Sequence, residues 1–110
     1  MAVSQDTLDR IVTSLVEEAK PERIVLFGSQ AREDADAGSD IDLLVVERQP
    51  FGPERSRRKE MVRLWRALPK LTAGADILVY SADEVERWRE SRNHVVGRAL
   101  REGRVLYERP

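Results

Sequence analysis

The chain has 110 residues, 19 Lys and Arg against 20 Asp and Glu, a net charge of −1, no cysteine and one histidine. That length suits one domain, expected over 1–110, with roughly two-thirds of the extended surface buried and no need of staples. The composition excludes disulfide frameworks, thiolate metal sites, thiol catalysis and His-rich metal centres, and it gives no global pull toward nucleic acid or anionic lipid. No apolar run approaches the ~18 residues of a membrane span, so no membrane partner is expected and the cytoplasm is the default compartment.

In chain order, Leu8, Ile11, Val12, Leu15, Val16 and Ala19 recur at helical spacing, with Asp6 placed as the N-cap and Pro21 as the stop. Arg23 to Phe27 is a short β-branched and aromatic run, ended by Gly28-Ser29, and reads as a buried strand turning into a short helix. The stretch from Asp34 to Ser39 reads as a loop, with Asp34 and Asp36 solvated. Asp40-Ile41-Asp42-Leu43-Leu44-Val45-Val46 alternates acid and aliphatic and then turns solidly apolar, which predicts a central strand with a polar mouth. Gln49 to Pro53 is a loop, and Glu54 to Leu68 predicts a helix whose inner face carries Met61, Leu64, Trp65 and Leu68. Ala75 to Tyr80 is a third strand, with Asp76 near its start. Ser81 and Glu84 form a capping box for the next helix, through Val85 and Trp88. A last helix over Asn93 to Arg101 ends at Gly103, before a short strand at Val105-Leu106-Tyr107.

Chemistry concentrates in three carboxylates. Asp40 and Asp42 are two apart on a strand, so they share a face, about 6.6 Å between Cα atoms. If the Asp76 strand lies beside theirs, three acids converge at one sheet end. Two charges about 5 Å apart repel by roughly 3 kcal/mol at an effective dielectric of 20, so a cation must offset them. Oxygen donors without Cys or His suit a hard ion, Mg²⁺ or equally Mn²⁺; taken alone, the same acids could instead cap strand ends or pair with arginines. Upstream, Gly28-Ser29 follows a buried strand at a helix start, where glycine allows close backbone approach and free N–H groups suit phosphate. Arg32 adds a bidentate donor for phosphate, or pairs with a neighbouring acid.

Ile24-Val25-Leu26-Phe27-Gly28-Ser29-Gln30-Ala31-Arg32, followed by Gly38-Ser39-Asp40-Ile41-Asp42-Leu43-Leu44-Val45, resembles the signature of the DNA polymerase β-like nucleotidyltransferases, most closely the minimal nucleotidyltransferase (MNT) group. The resemblance runs over nearly the whole chain, through Asp76 to the closing Ala99–Glu108 segment. It implies an α+β (α/β), single-domain polymerase β-like fold, a mixed sheet packed against helices, with Gly28, Ser29 and Arg32 as nucleotide-binding residues. It also implies Asp40, Asp42 and Asp76 as catalytic, Mg²⁺-binding carboxylates, with ATP or another NTP as substrate. A nucleoside monophosphate, AMP foremost, would pass to an acceptor hydroxyl. Larger relatives hold the acceptor with an extra domain, so here another chain is expected to present it. By the same resemblance the companion is a small helical HEPN protein, the acceptor its tyrosine and this chain the antitoxin, in a homo- or hetero-oligomer. Glu33 stands where the family has glycine, and a larger, negative residue there keeps a second reading open. In that reading a catalytically weak nucleotide-binding antitoxin neutralises its partner by occlusion.

The Arg55, Arg57, Arg58, Lys59, Arg63, Arg66 run reads first as the polar face of a helix. Glu54 and Glu60 dilute it and no aromatic ladder accompanies it, so nucleic acid is not the favoured partner. An acidic protein surface or polyphosphate suits the run as well as RNA does. Trp65 and Trp88, among apolar neighbours at helical spacing, are expected in the core. His94, in a polar segment at a helix start, is given no catalytic role.

Overall fold

The computed structural model describes residues 4–28, 31, 41–69 and 74–110. Helix α1 (Gln5–Ala19) buries Leu8, Ile11 and Leu15, and it begins earlier than a cap at Asp6 would place it. Ser4 is the cap, its hydroxyl accepting from the Thr7 N–H, while Asp6 sits in the first turn, where its charge still meets the positive helix end. Lys20 closes the helix in the left-handed conformation (φ +48°) just before Pro21. Strand β1 (Arg23–Phe27) follows as read from the sequence, and β2 (Ile41–Glu47) extends the second apolar run by one residue.

Helix α2 (Arg57–Ala67) starts later than the Glu54 expected for it. Gly52 to Arg55 instead forms a tight turn closed by reciprocal N–H···O bonds of 3.0 and 3.1 Å, and Ser56 caps the helix from outside. Strand β3 (Ala75–Ser81) runs straight into α3 (Ala82–Trp88), where Ser81 and Glu84 make the expected capping box. Helix α4 (Val95–Glu102) ends at Gly103, and β4 (Arg104–Glu108) is the last strand.

The sheet order is β3-β2-β1-β4. β1 pairs antiparallel with both β2 and β4, and β2 pairs parallel with β3 through the α2 crossover, so the sheet is mixed as expected. A register shift between Ile24 and Val25 accommodates β4. Strand alternation sorts the side chains into two cores. Leu8, Ile11 and Leu15 of α1 and Leu64 of α2 cover Ile24, Leu26, Leu43, Val45, Ile77 and Val79. On the other face Val85 of α3 and Val96 and Ala99 of α4 cover Val25, Leu44 and Val46. Each fully buried aliphatic side chain contributes roughly 1.5–3 kcal/mol of transfer free energy, and the two central strands collect most of it. The Cα radius of gyration, 13.3 Å, matches the ~13 Å of one folded domain of this length. Among the described residues no helix is long and apolar enough to cross a membrane.

Both tryptophans depart from expectation. Trp65 is 58% exposed, because the inner arc of α2 is filled by Leu64, Met61 and the inward-turned Glu60. Trp88, 37% exposed, stacks on His94 with ring centroids 4.5 Å apart. His94 itself serves the fold. Its Nδ1 accepts from the Val96 N–H as the cap of α4, and Tyr80 meets its ring edge-on at 5.5 Å.

Candidate functional site

The register brings the acids together. Asp42 pairs with Asp76 across the parallel β2–β3 ladder and with Phe27 across the antiparallel β1–β2 ladder. Directly paired residues share a sheet face, so both carboxylates stand on the α3–α4 side, about 4.8 Å apart at the backbone. Asp42 is half-buried and Asp76 exposed, beyond the reach of the helices that cover Leu44 and Leu78 further along the same face. An Ile41 N–H to Gly74 carbonyl bond of 2.9 Å ties the two strand starts together.

Gly28 completes this corner. It follows β1 with φ +73°, in the left-handed region, and a side chain there would collide with Oδ2 of Asp42. The backbone angle favours glycine, and an added Cβ would make the Asp42 carboxylate move aside. Of the residues expected to carry function, Gly28, Asp42 and Asp76 converge. Ser29, Arg32 and Asp40 lie outside the described residues, as do Glu33 and the Asp34–Ser39 loop. Asp76 makes no side-chain hydrogen bond or ion pair among the described residues. No group of three or more potential ligands clusters among them either, so Asp42 and Asp76 form a two-carboxylate corner. The donor set is oxygen only, which fits a hard divalent cation rather than zinc or iron.

The basic run divides in a way its sequence does not reveal. Arg55 pairs with Glu47 and approaches Glu60 at 3.6 Å, and its guanidinium lies 4.3 Å over the Phe51 ring. Arg57 pairs with Glu84, donates to the Val79 carbonyl at 2.8 Å and stacks on Tyr80. Arg63 bridges Glu60 at 2.7 Å and Glu18 at 2.8 Å. These arginines fasten α2 to the sheet and to α1. Arg58, Lys59 and Arg66 form no ion pair among the described residues and face outward.

At the far end of β2, Glu47 is 4% exposed. One carboxylate oxygen takes the Arg55 guanidinium, while Oε2 is buried without a donor beside the Glu60 carboxyl. Burial first, and then the hydrogen bond with Glu60, push Glu47 up to about 7. Glu60 is held below the ordinary carboxylate range by the Arg63 hydrogen bond, so of the two Glu47 takes up a proton first as pH falls. Nothing in the sequence marks this pair, because its members lie on separate elements.

Residues 8–74 match the nucleotidyltransferase domain family, more than half of the chain. No match was found among curated proteins. Two solved structures share the fold. One is a candidate nucleotidyltransferase from Sulfolobus solfataricus, 22% identical, with 99% of this chain and 93% of that one covered and a TM-score of 0.56. The other is a toxin–antitoxin solved with AMP-PNP, 21% identical, with 93% and 73% covered and a TM-score of 0.57.

Proposed function

We propose, from the premise that this chain belongs to the nucleotidyltransferase domain family, that it transfers AMP from ATP to a hydroxyl on a protein partner. The observation that carries this reading is the in-register pairing of Asp42 with Asp76 beside the left-handed turn at Gly28. Members of such a family take an NTP and a divalent metal, and the carboxylates described above suit that pair. In this reading the chain is a minimal nucleotidyltransferase domain over 1–110, of the MNT type. Its partner is a small helical HEPN-type toxin whose tyrosine accepts the AMP, and the modification neutralises it. The toxin–antitoxin neighbour solved with AMP-PNP supports this choice of partner class and nucleotide.

Asp40, Asp42 and Asp76 would hold Mg²⁺, or Mn²⁺ in its place. The bound ion supplies charge neutralisation at the phosphates and at the attacking and leaving oxygens. The backbone at Gly28, with Ser29, cradles the triphosphate, and the absence of a Cβ at Gly28 leaves the Asp42 carboxylate in place beside the turn. Arg32 steadies the phosphate charge as a bidentate donor. The acceptor oxygen forms a bond to the α-phosphorus, the bond from that phosphorus to the bridging oxygen breaks, and pyrophosphate leaves. The acceptor proton passes to the Asp76 carboxylate, the more exposed of the two described acids.

The test uses ATP labelled at the α-phosphate, Mg²⁺ and a small helical HEPN-type protein as acceptor. Wild type is expected to label the partner's tyrosine. Asp42→Asn with Asp76→Asn should lower labelling at least ~10³-fold, about 4 kcal/mol of barrier, while the fold persists. Equal labelling by the double variant overturns the assignment of the acids. Absence of labelling by wild type, with AMP-PNP still bound and the partner still neutralised, selects occlusion instead, the outcome to which Glu33 would lead.

A further inference from the structure

Helix α2 buries one side and leaves the other uncovered. Its outward arc carries Arg58, Lys59, Val62, Trp65 and Arg66, spaced three and four residues apart so that they form one strip. Val62 is 42% and Trp65 58% exposed, two large apolar side chains side by side on a helix that is otherwise strongly polar. The cations of the strip are the ones left over when Arg55, Arg57 and Arg63 turn to carboxylates of the chain. Two surface cavities meet along it and share Val62. The larger, about 750 Å³, lies among Arg58, Lys59, Arg63 and Arg66. The smaller, about 220 Å³, lies between Trp65, Met61 and the start of β3, and Asp76 forms part of its wall. An apolar seam edged by cations thus leads from the α1 side of the molecule to the start of the edge strand β3, at Ala75–Ile77.

We propose that this face of α2 docks an acidic amphipathic segment of the protein acceptor, apolar side chains seated on Val62 and Trp65 and carboxylates against Arg58, Lys59 and Arg66. Charge complementarity selects the occupant. In a chain of net charge −1 these cations stand together without internal partners among the described residues, so they favour an acidic surface. The centre of the strip is aliphatic, one indole stands alone without a ladder of rings, and Glu18 rims the larger cavity; each suits a peptide better than a phosphate backbone. The strip ends at the start of β3, an edge strand whose other face carries the Asp76 carboxylate, and this gives the docking a consequence: a bound segment that continues round that edge brings its own hydroxyl to the corner where transfer takes place. Only that consequence rests on the proposed transfer reaction. The docking itself does not.

The experiment measures binding to the full chain without nucleotide. The probe is a labelled ~18-residue helical peptide with Leu at i, i+3, i+4 and i+7 and Glu on its flanks, beside a counterpart carrying Lys for Glu and an oligouridylate RNA. The Glu peptide is expected to bind, more weakly as salt rises, and the Lys peptide not to bind. Trp65→Ala should weaken binding about 30-fold or more, as for an aromatic anchor at an interface centre. Arg58→Glu with Arg66→Glu should invert the preference toward the Lys peptide. All three side chains point outward, and thermal melts matching wild type verify that the variants fold. Equal binding of both peptides, unchanged affinity in Trp65→Ala, or displacement of the peptide by RNA with a salt slope of several phosphate contacts overturns the proposal. Failure of AMP transfer with intact peptide binding would sink the proposed reaction and leave the docking face standing.

Discussion

The two ends of strand β2 carry the same chemical group in opposite settings. At its last residue, Glu47 is buried and the chain supplies its counter-charge from Arg55 on the turn that follows. At its second residue, Asp42 stands against a glycine turn and beside Asp76, an exposed acid with no ion pair among the described residues. A carboxylate matched by an arginine of its own fold is an anchor. Acids set side by side, with a glycine turn against one of them, form the corner to which the proposed function assigns the metal and the phosphates. The difference lies in which elements end nearby: α2 and its preceding turn at the Glu47 end, the open starts of β2 and β3 at the other.

That contrast breaks most sharply at Arg55. Arg55→Ala leaves Glu47 and Glu60 facing each other with less positive charge between them. Unfolding in urea at about pH 8, where Glu47 is ionised, should show a loss of about 3–5 kcal/mol, as for other half-removed buried pairs, while AMP-PNP affinity of the folded protein stays at its wild-type value. A loss of nucleotide affinity equal to the loss of stability would show that the two ends are not separate.

Glu47 sharpens the comparison through pH. Its carboxyl titrates near 7 when folded, raised mainly by burial, against 4.5 when exposed. A raised value means the folded state binds the proton more tightly. The stabilisation is complete below about pH 4.5 and is lost as pH rises through 7. Between pH 5 and 8 the protein should lose on the order of 2–3 kcal/mol from this group. Glu47→Gln, which stays neutral and can still donate to Glu60, should flatten that slope and melt higher than wild type at about pH 8. Parallel pH profiles for the two proteins would refute the raised titration of Glu47.

The smallest effect on stability is expected at Gly28. Gly28→Ala adds a Cβ at φ +73° for about 1–2 kcal/mol, and the new methyl displaces the Asp42 carboxylate. Nucleotide affinity should fall further than stability does, with the pH slope from Glu47 unchanged. Wild-type AMP-PNP binding in this variant would remove the turn from the site.

Local pattern made the framework legible. The apolar runs at 24–26 and 43–46 could only be central strands, and the Ser81–Glu84 box marked a helix start to the residue. Acids near strand starts were conspicuous because burial penalises them wherever no cation answers. Helical spacing misjudged Trp65. It predicts which residues share a face, but Trp65 lies at the margin of the apolar arc of α2, and the inward place was taken by Glu60 held in ion pairs. The same limit hid the division of the arginines. Six cations along one stretch look alike until the partners of Arg55, Arg57 and Arg63 are known, and those partners are Glu47, Glu84, Glu60 and Glu18 on four different elements.

By itself, then, the order of residues determined the elements, the sheet-end acids and the glycine turn, since strand alternation and backbone sterics act over a few residues. Tertiary structure alone decided that Asp42 pairs with Asp76, that Glu47 is buried close to Glu60 and Arg55, and that Trp65 lies open on α2. Each of those depends on strand register and helix rotation, which are set by how whole faces pack and not by any short stretch of chain.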